Sequence, residues 1–323
     1  MIQGEKNFKI LGFFIFLSFF RQDGQASSLL RIVGSSTVFP FAATVAEHFS
    51  YKTHESVPLI ETIGTGAGIK LFCESLNGPD GVIASRAITA NEAEKCREQG
   101  VTYEELKIGK DGLVIIQSKE ETPFSLTLKT LKEAIAEKIQ QGAACLTNPY
   151  KTWNEIQQNY PLYSIRILGP APTSGTYDVL IDNIIGDCGP YLRSDGAYIE
   201  APANENLIIQ KVLNAPQTLG IVTFSFYDQN RTRIQALALD AIFPSFKSIQ
   251  EGSYPLSRPL YLYIKTNDLK DFPMRAAYAL EFTSEEAIGE QGYLKDKGLV
   301  PLSLQEQHIM NQRVRDLQQK EER

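Results

Sequence analysis

Two hydrophobic periods alternate along this chain, and the switches between them fall at glycine-rich turns. Residues 29–33 (LLRIV) are a short apolar run that predicts a strand. The run leads into Gly34-Ser35-Ser36-Thr37, after which Phe39, Ala42, Val45, Ala46 and Phe49 recur at helical spacing. Pro40 suits a first helical turn, where its missing N–H costs nothing. The plan then repeats. Residues 57–63 read as a strand, 64–68 as a turn, and 69 onward as a helix that stops at Asn77-Gly78-Pro79. Residues 81–84 predict a third buried strand ending at Ser85-Arg86, and 91–99 a helix closed by Gly100. Alternation of strand and helix implies an α/β fold with mainly parallel sheets.

Two strongly apolar strands, 113–118 (LVIIQS) and 259–265 (PLYLYIK), bracket a long segment with elements of its own. Those elements fall at 128–140, 165–168, 178–185, 206–213 and 220–226. The segment reads as a second lobe inserted into the first, with the apolar strands as crossovers. The expected division is lobe I over 27–112 plus 261–323, and lobe II over 113–260. A chain of 323 residues exceeds one ordinary core, which favours two lobes. Two lobes joined by two strands make a hinge, with a cleft suited to a ligand. From Leu304 the chain is rich in Gln, Glu and Arg, and Ile309, Val314 and Leu317 give one narrow apolar stripe. This predicts a surface helix or a frayed tail.

Composition adds little until charge and the termini are considered. The net charge of −6 argues against a nucleic-acid binder that works by broad electrostatics. It is compatible with a local anion site, because surface charge is screened over roughly 8–10 Å. Lys6 and Lys9 precede an apolar run at 10–20, and Gly24-Gln25-Ala26 offers small residues for cleavage. That predicts an export signal over 1–26, because a bilayer span needs about 20 apolar residues. No cysteine follows the run, so no lipid anchor is expected. Cys73, Cys96, Cys145 and Cys188 allow three pairings. Buried free thiols are the expectation, since a chain of this size needs no staples. If oxidised, the simplest pattern is one bridge per lobe, Cys73 with Cys96 and Cys145 with Cys188. No spacing suggests a zinc site.

Three Ser/Thr/Gly clusters carry the candidate chemistry: residues 34–40 (GSSTVFP), 64–70 (GTGAGIK) and 173–178 (TSGTYD). Each sits where a helix is predicted to begin. Glycine lets an anion approach the backbone, hydroxyls donate, and the first amides of a helix point outward at the positive end of its dipole. Helix capping alone needs one hydroxyl, but three follow Gly34. The second cluster is not a nucleotide loop: Ile69 separates Gly68 from Lys70, and its glycines run Gly-x-Gly-x-Gly. Arg86 ends a buried strand, where its donor fork suits a tetrahedral oxyanion. The competing reading is a surface ion pair with Glu92 or Glu94.

The motifs GSSTVFPF, IGTGAGIK, ASRAIT, DGLVII, TWNEI, SGTYD, LGIV and YPLSRPLYLYI occur in this order over residues 31–265. In order and rough spacing the chain resembles the exported phosphate-binding proteins of bacterial Pst-type ABC transporters. The resemblance implies a two-lobed periplasmic-binding-protein fold (type II) that delivers inorganic phosphate to a membrane permease and its ATPase. It implies a periplasmic monomer with no cofactor and no nucleic-acid partner. Carried over by position, the phosphate ligands would be Ser36, Thr37, Val38, Thr65, Gly66, Arg86, Ser174, Gly175 and Thr176, with Ser85 a weaker candidate. The chain departs from relatives in having Thr173 where an acidic residue often precedes Ser-Gly-Thr. Some branches also have an aspartate where Arg86 stands. An acidic acceptor can take the proton of hydrogen phosphate, and these positions supply none. Receptors for sulfate or molybdate, an adhesion or sensing role, and a secreted phosphatase are the alternatives. The phosphatase lacks clustered ligands, since the only histidines are His48, His54 and His308.

Overall fold

The structure, a computed structural model, describes residues 29–172, 175–185, 188–201 and 204–321. The expected export signal and its cleavage position lie outside these residues. Three strand–turn–helix units open the chain: β1 (Arg31–Gly34) with α1 (Phe39–Thr53), β2 (Leu59–Thr62) with α2 (Thr65–Cys73), and β3 (Gly81–Ala84) with α3 (Ala90–Glu98). Strand β1 lies between β2 and β3, parallel to both. The apolar face expected for α1, from Phe41 to Phe49, is buried.

Next comes β4 (Tyr103–Ser118), a strand of 16 residues of which only the last six were expected. In its first part, buried Leu106 and Ile108 alternate with the partly exposed Glu105 and Lys107. That is the period of a half-buried strand. The chain continues through α4 (Leu128–Ile135), β5 (Lys138–Gln141), β6 (Ala144–Thr147), α5 (Trp153–Ile156) and β7 (Ile167–Pro170). Helix α6 (Gly175–Leu180) runs into a π turn (Ile181–Ile185) and is followed by β8 (Tyr198–Ala201), α7 (Glu205–Asn214) and β9 (Leu219–Thr223). Then come α8 (Phe224–Gln229), β10 (Ile234–Ala236) and α9 (Phe246–Gln250). The return strand β11 (Ser257–Lys265) leads to α10 (Pro273–Phe282), α11 (Glu285–Ile288) and α12 (Leu304–Glu321).

The main sheet runs β2-β1-β3-β11-β4-β9-β7-β8, with β10 beside β4. Its outer strands are parallel, whereas β11 is antiparallel to β3 and β4. Residues 103–112 of β4 pair with β11, and residues 113–116 pair with β9. One strand therefore serves two cores. Leu113 to Leu256, with Val300, supply the buried residues of one core. Residues between Leu30 and Val314 on either side of that segment supply the other clusters.

Three sequence expectations change. The cysteines are not free thiols: Cys73 is bonded to Cys96 and Cys145 to Cys188. Packing of α2 beside α3 brings the first pair to a Cα separation of 4.3 Å. The segment read as one element at 128–140 divides after Ile135, because Ala136 turns extended and Gly142, at φ 62°, closes a β5–β6 ribbon. In α12 the buried apolar positions are Met310 and Val314, while Ile309 is exposed. The tail is thus a helix docked on the core.

Candidate functional site

The first two Ser/Thr/Gly turns meet at Gly34. Its φ of 134° and its closeness to the Ile83 carbonyl exclude a side chain, since a Cβ would come within 2.1 Å of that oxygen. The Gly34 carbonyl accepts from the amides of Ile63 and Gly64, both at 3.0 Å. Helix α2 is held equally close, because a Cβ at Gly68 would lie 2.7 Å from the Gly34 Cα. Helices α1 and α2 therefore begin side by side. Their N-cap residues, Val38 and Gly64, supply no side-chain cap. In α1 the Phe39 and Phe41 amides donate to the Ser35 and Val38 carbonyls, both at 3.1 Å, and Pro40 has no N–H. It is therefore the start of α2 whose first amides are left to other partners, at the positive end of its dipole.

Ser36 and Thr37 line a cleft of about 480 Å³, and Thr176, on α6, lines the same cleft. Gly175 is the first residue of α6, and Ser174 lies outside the described residues. Val38 is fully buried behind the first turn as the N-cap of α1. Thr65 is buried, and its Oγ1 lies 3.0 Å from Ser85 Oγ and accepts the Ser85 amide at 3.2 Å. These two hydroxyls join the start of α2 to the end of β3. Arg86 takes the ion pair anticipated as its competing role: Nη1 and Nη2 donate to the two carboxylate oxygens of Glu92 at 2.8 and 2.9 Å. It also stands opposite Gly66, where a Cβ would be 3.6 Å from Nη2. Neither Arg86 nor Gly66 lines the cleft that Ser36, Thr37 and Thr176 share. Ser35 Oγ, in the first turn, is buried without a hydrogen-bond partner among the described residues.

Sequence reasoning missed the charged residues at this cleft. Asp111, on β4, lines it and is 4% exposed. It sits in register with Arg258 on β11, whose Nη2 donates to Asp111 Oδ2 at 3.1 Å and to Thr37 Oγ1 at 3.3 Å. From the other side, Glu205 opens α7 and accepts from the Thr223 amide at 2.8 Å and the Thr223 hydroxyl at 2.9 Å. Thr223 Oγ1 lies 3.0 Å from Ser225 Oγ. Burial pushes the Glu205 carboxyl up to about 7, with Asp111 adding to the rise, while the Thr223 hydrogen bonds and Arg258 oppose it. The available signal was a charge at the mouth of an apolar strand. Asp111 and Arg258 lie within or beside the DGLVII and YPLSRPLYLYI motifs.

The cleft thus joins hydroxyls from both parts of the chain with carboxylates that accept hydrogen bonds. The profile of the PBP superfamily domain matches residues 21–286. A phosphate-binding protein PstS of Staphylococcus saprophyticus is 32% identical over 77% of this chain and 73% of the relative. Protein SphX of Synechococcus elongatus is 29% identical over 89% of this chain and 82% of its own length. The crystal structure of a possible phosphate-binding protein from Planctomyces limnophilus superposes with a TM-score of 0.72 at 28% identity, covering 90% of this chain and 99% of that one. With a hydroxyl-lined cleft at the start of α1 and a family profile spanning most of its length, the chain belongs to the PBP superfamily domain family, among the PstS-type phosphate-binding proteins.

Proposed function

We propose that this protein is an exported receptor that captures inorganic phosphate in the cleft and delivers it to an ABC permease and its ATPase. It acts as a monomer and catalyses no reaction. The observation that carries this reading is the convergence of Ser36 and Thr37 with Thr176, Thr223 and Ser225 on one cleft. Hydrogen bonds to a charged group contribute roughly 1.5–3 kcal/mol each, so a handful reaches the −8 kcal/mol or so of micromolar binding. Ser36, Thr37, Val38, Thr65, Gly66, Arg86, Ser174, Gly175 and Thr176 remain the proposed contact set. Arg258 holds Thr37 from behind.

Asp111 favours phosphate over sulfate or molybdate. Carboxylates facing an anion repel it unless a proton lies between them. Hydrogen phosphate brings that proton, and sulfate at neutral pH does not. Among the described residues no histidine lines the cleft.

Titration calorimetry on protein stripped of bound anion tests the proposal. Phosphate should bind with a Kd in the micromolar range or tighter, about −8 kcal/mol, and sulfate more weakly by about tenfold or more. Arg86→Ala should cost about 1.5–3 kcal/mol of phosphate binding, the scale of one hydrogen bond to a charged group. No heat with phosphate, or equal affinity for sulfate, would sink the reading.

A further inference from the structure

Behind the anion turns, α3 is fastened at two points to the elements that carry them. At its start is a capping box in which Glu92 accepts from the Thr89 amide and hydroxyl, both at 2.9 Å. The same carboxylate grips Arg86 through both terminal nitrogens. Burial pushes the Glu92 carboxyl up, but the Arg86 guanidinium and the Thr89 hydrogen bonds outweigh it and hold it below the usual carboxylate range. One turn on, fully buried Cys96 is bonded to Cys73, the last residue of α2. The first turn of α2 carries Gly66, which faces Arg86 Nη2. One helix therefore holds the guanidinium at one end and the helix it faces at the other.

We propose that α3 is a positioning strut for the anion site. Glu92 and the Cys73–Cys96 bond together set Arg86 against the first turn of α2, so that phosphate affinity depends on a carboxylate and a disulfide outside the cleft. The proposal rests on the phosphate reading above. It has a consequence that simple electrostatics reverses. Glu92 is a negative charge near an anion site, and neutralising it should by Coulomb's law alone tighten anion binding. If Glu92 orients the fork, neutralising it weakens binding, because an unheld arginine must be ordered when the anion arrives. The disulfide acts in the same direction, making affinity sensitive to reduction.

The test compares phosphate affinity, by calorimetry at neutral pH, with the melting temperature of each variant. Glu92→Gln keeps a side chain able to serve the capping box, so the helix start is preserved. It should weaken phosphate about tenfold, the scale of one charged hydrogen bond, and should add nothing in an Arg86→Ala background. Cys73→Ser with Cys96→Ser, assayed well below its own melting temperature, should weaken phosphate about threefold or more through lost preorganisation. Reduction of a Cys145→Ser, Cys188→Ser variant, which keeps only the Cys73–Cys96 bond, should reproduce that loss. Unchanged or tighter binding by Glu92→Gln overturns the proposal, as does an equal loss with Arg86 already removed. A serine pair that melts earlier yet binds normally overturns the part assigned to the disulfide. Failure of the wild type to bind phosphate is a different result, which removes the function reading itself and this proposal with it.

Discussion

At the scale of single residues, Glu205 has the clearest pH signature. Its carboxyl is raised to about 7 in the folded chain, chiefly by burial, from an ordinary value near 4.5. A raised carboxyl means that the folded state holds the proton more tightly than the unfolded state. Its contribution to stability is therefore fully present below the ordinary carboxylate value and is lost as pH rises through about 7. Glu205→Gln keeps an oxygen for the Thr223 amide and removes the charge. It should be more stable than the wild type at alkaline pH by about 1–3 kcal/mol, and no more stable in mild acid. Urea melts across this pH range would show the difference growing through neutrality, and a constant difference would refute the assignment. Arg258 and Asp111 follow another logic. Each is nearly buried, and each depends on the other for compensation.

At the scale of elements, the site depends on how closely two helices can start together. Gly68 allows α2 to rest on Gly34, where a methyl group would meet backbone 2.7 Å away. Backbone cannot yield as a flexible side chain can. Gly68→Ala should therefore displace the first turn of α2, cost about 1–3 kcal/mol of stability as an overpacked core does, and weaken phosphate binding. An alanine variant with unchanged affinity and stability would show that the approach has slack. Strand β4 is the other decisive element. Its early residues look loop-like because polar side chains face outward, yet alternate residues are buried and the register with β11 brings Asp111 opposite Arg258. The hydroxyl turns were visible as local clusters. The charged pair beside Thr37 was not, because its members are 147 positions apart in the chain.

For the whole molecule, β4 pairs with β11 over its first part and β9 over its last, joining the two cores. The cleft draws residues from both, so a ligand there stabilises each core through the other. Phosphate at about 100 times its Kd should add about 2.7 kcal/mol to the unfolding free energy. A scan with and without phosphate should show the rise in melting temperature, with sulfate giving less. No change at saturating phosphate would mean that the anion does not bind the folded form preferentially.

The sequence by itself determined the strand–turn–helix order, the apolar face of α1, the hydroxyl turns and the two apolar strands, because each is a local pattern with a period or a turn chemistry of its own. The sequence also offered the two disulfide pairs and the Arg86–Glu92 ion pair as alternatives. Tertiary structure decided that the cysteines are bonded and Arg86 is paired, that Met310 joins Val314 in docking α12, and that Asp111, Arg258 and Glu205 stand at the cleft. Those outcomes depend on helix packing and strand register between distant segments. A side chain's charge is legible in one dimension, but its partner is chosen only once the chain has closed on itself.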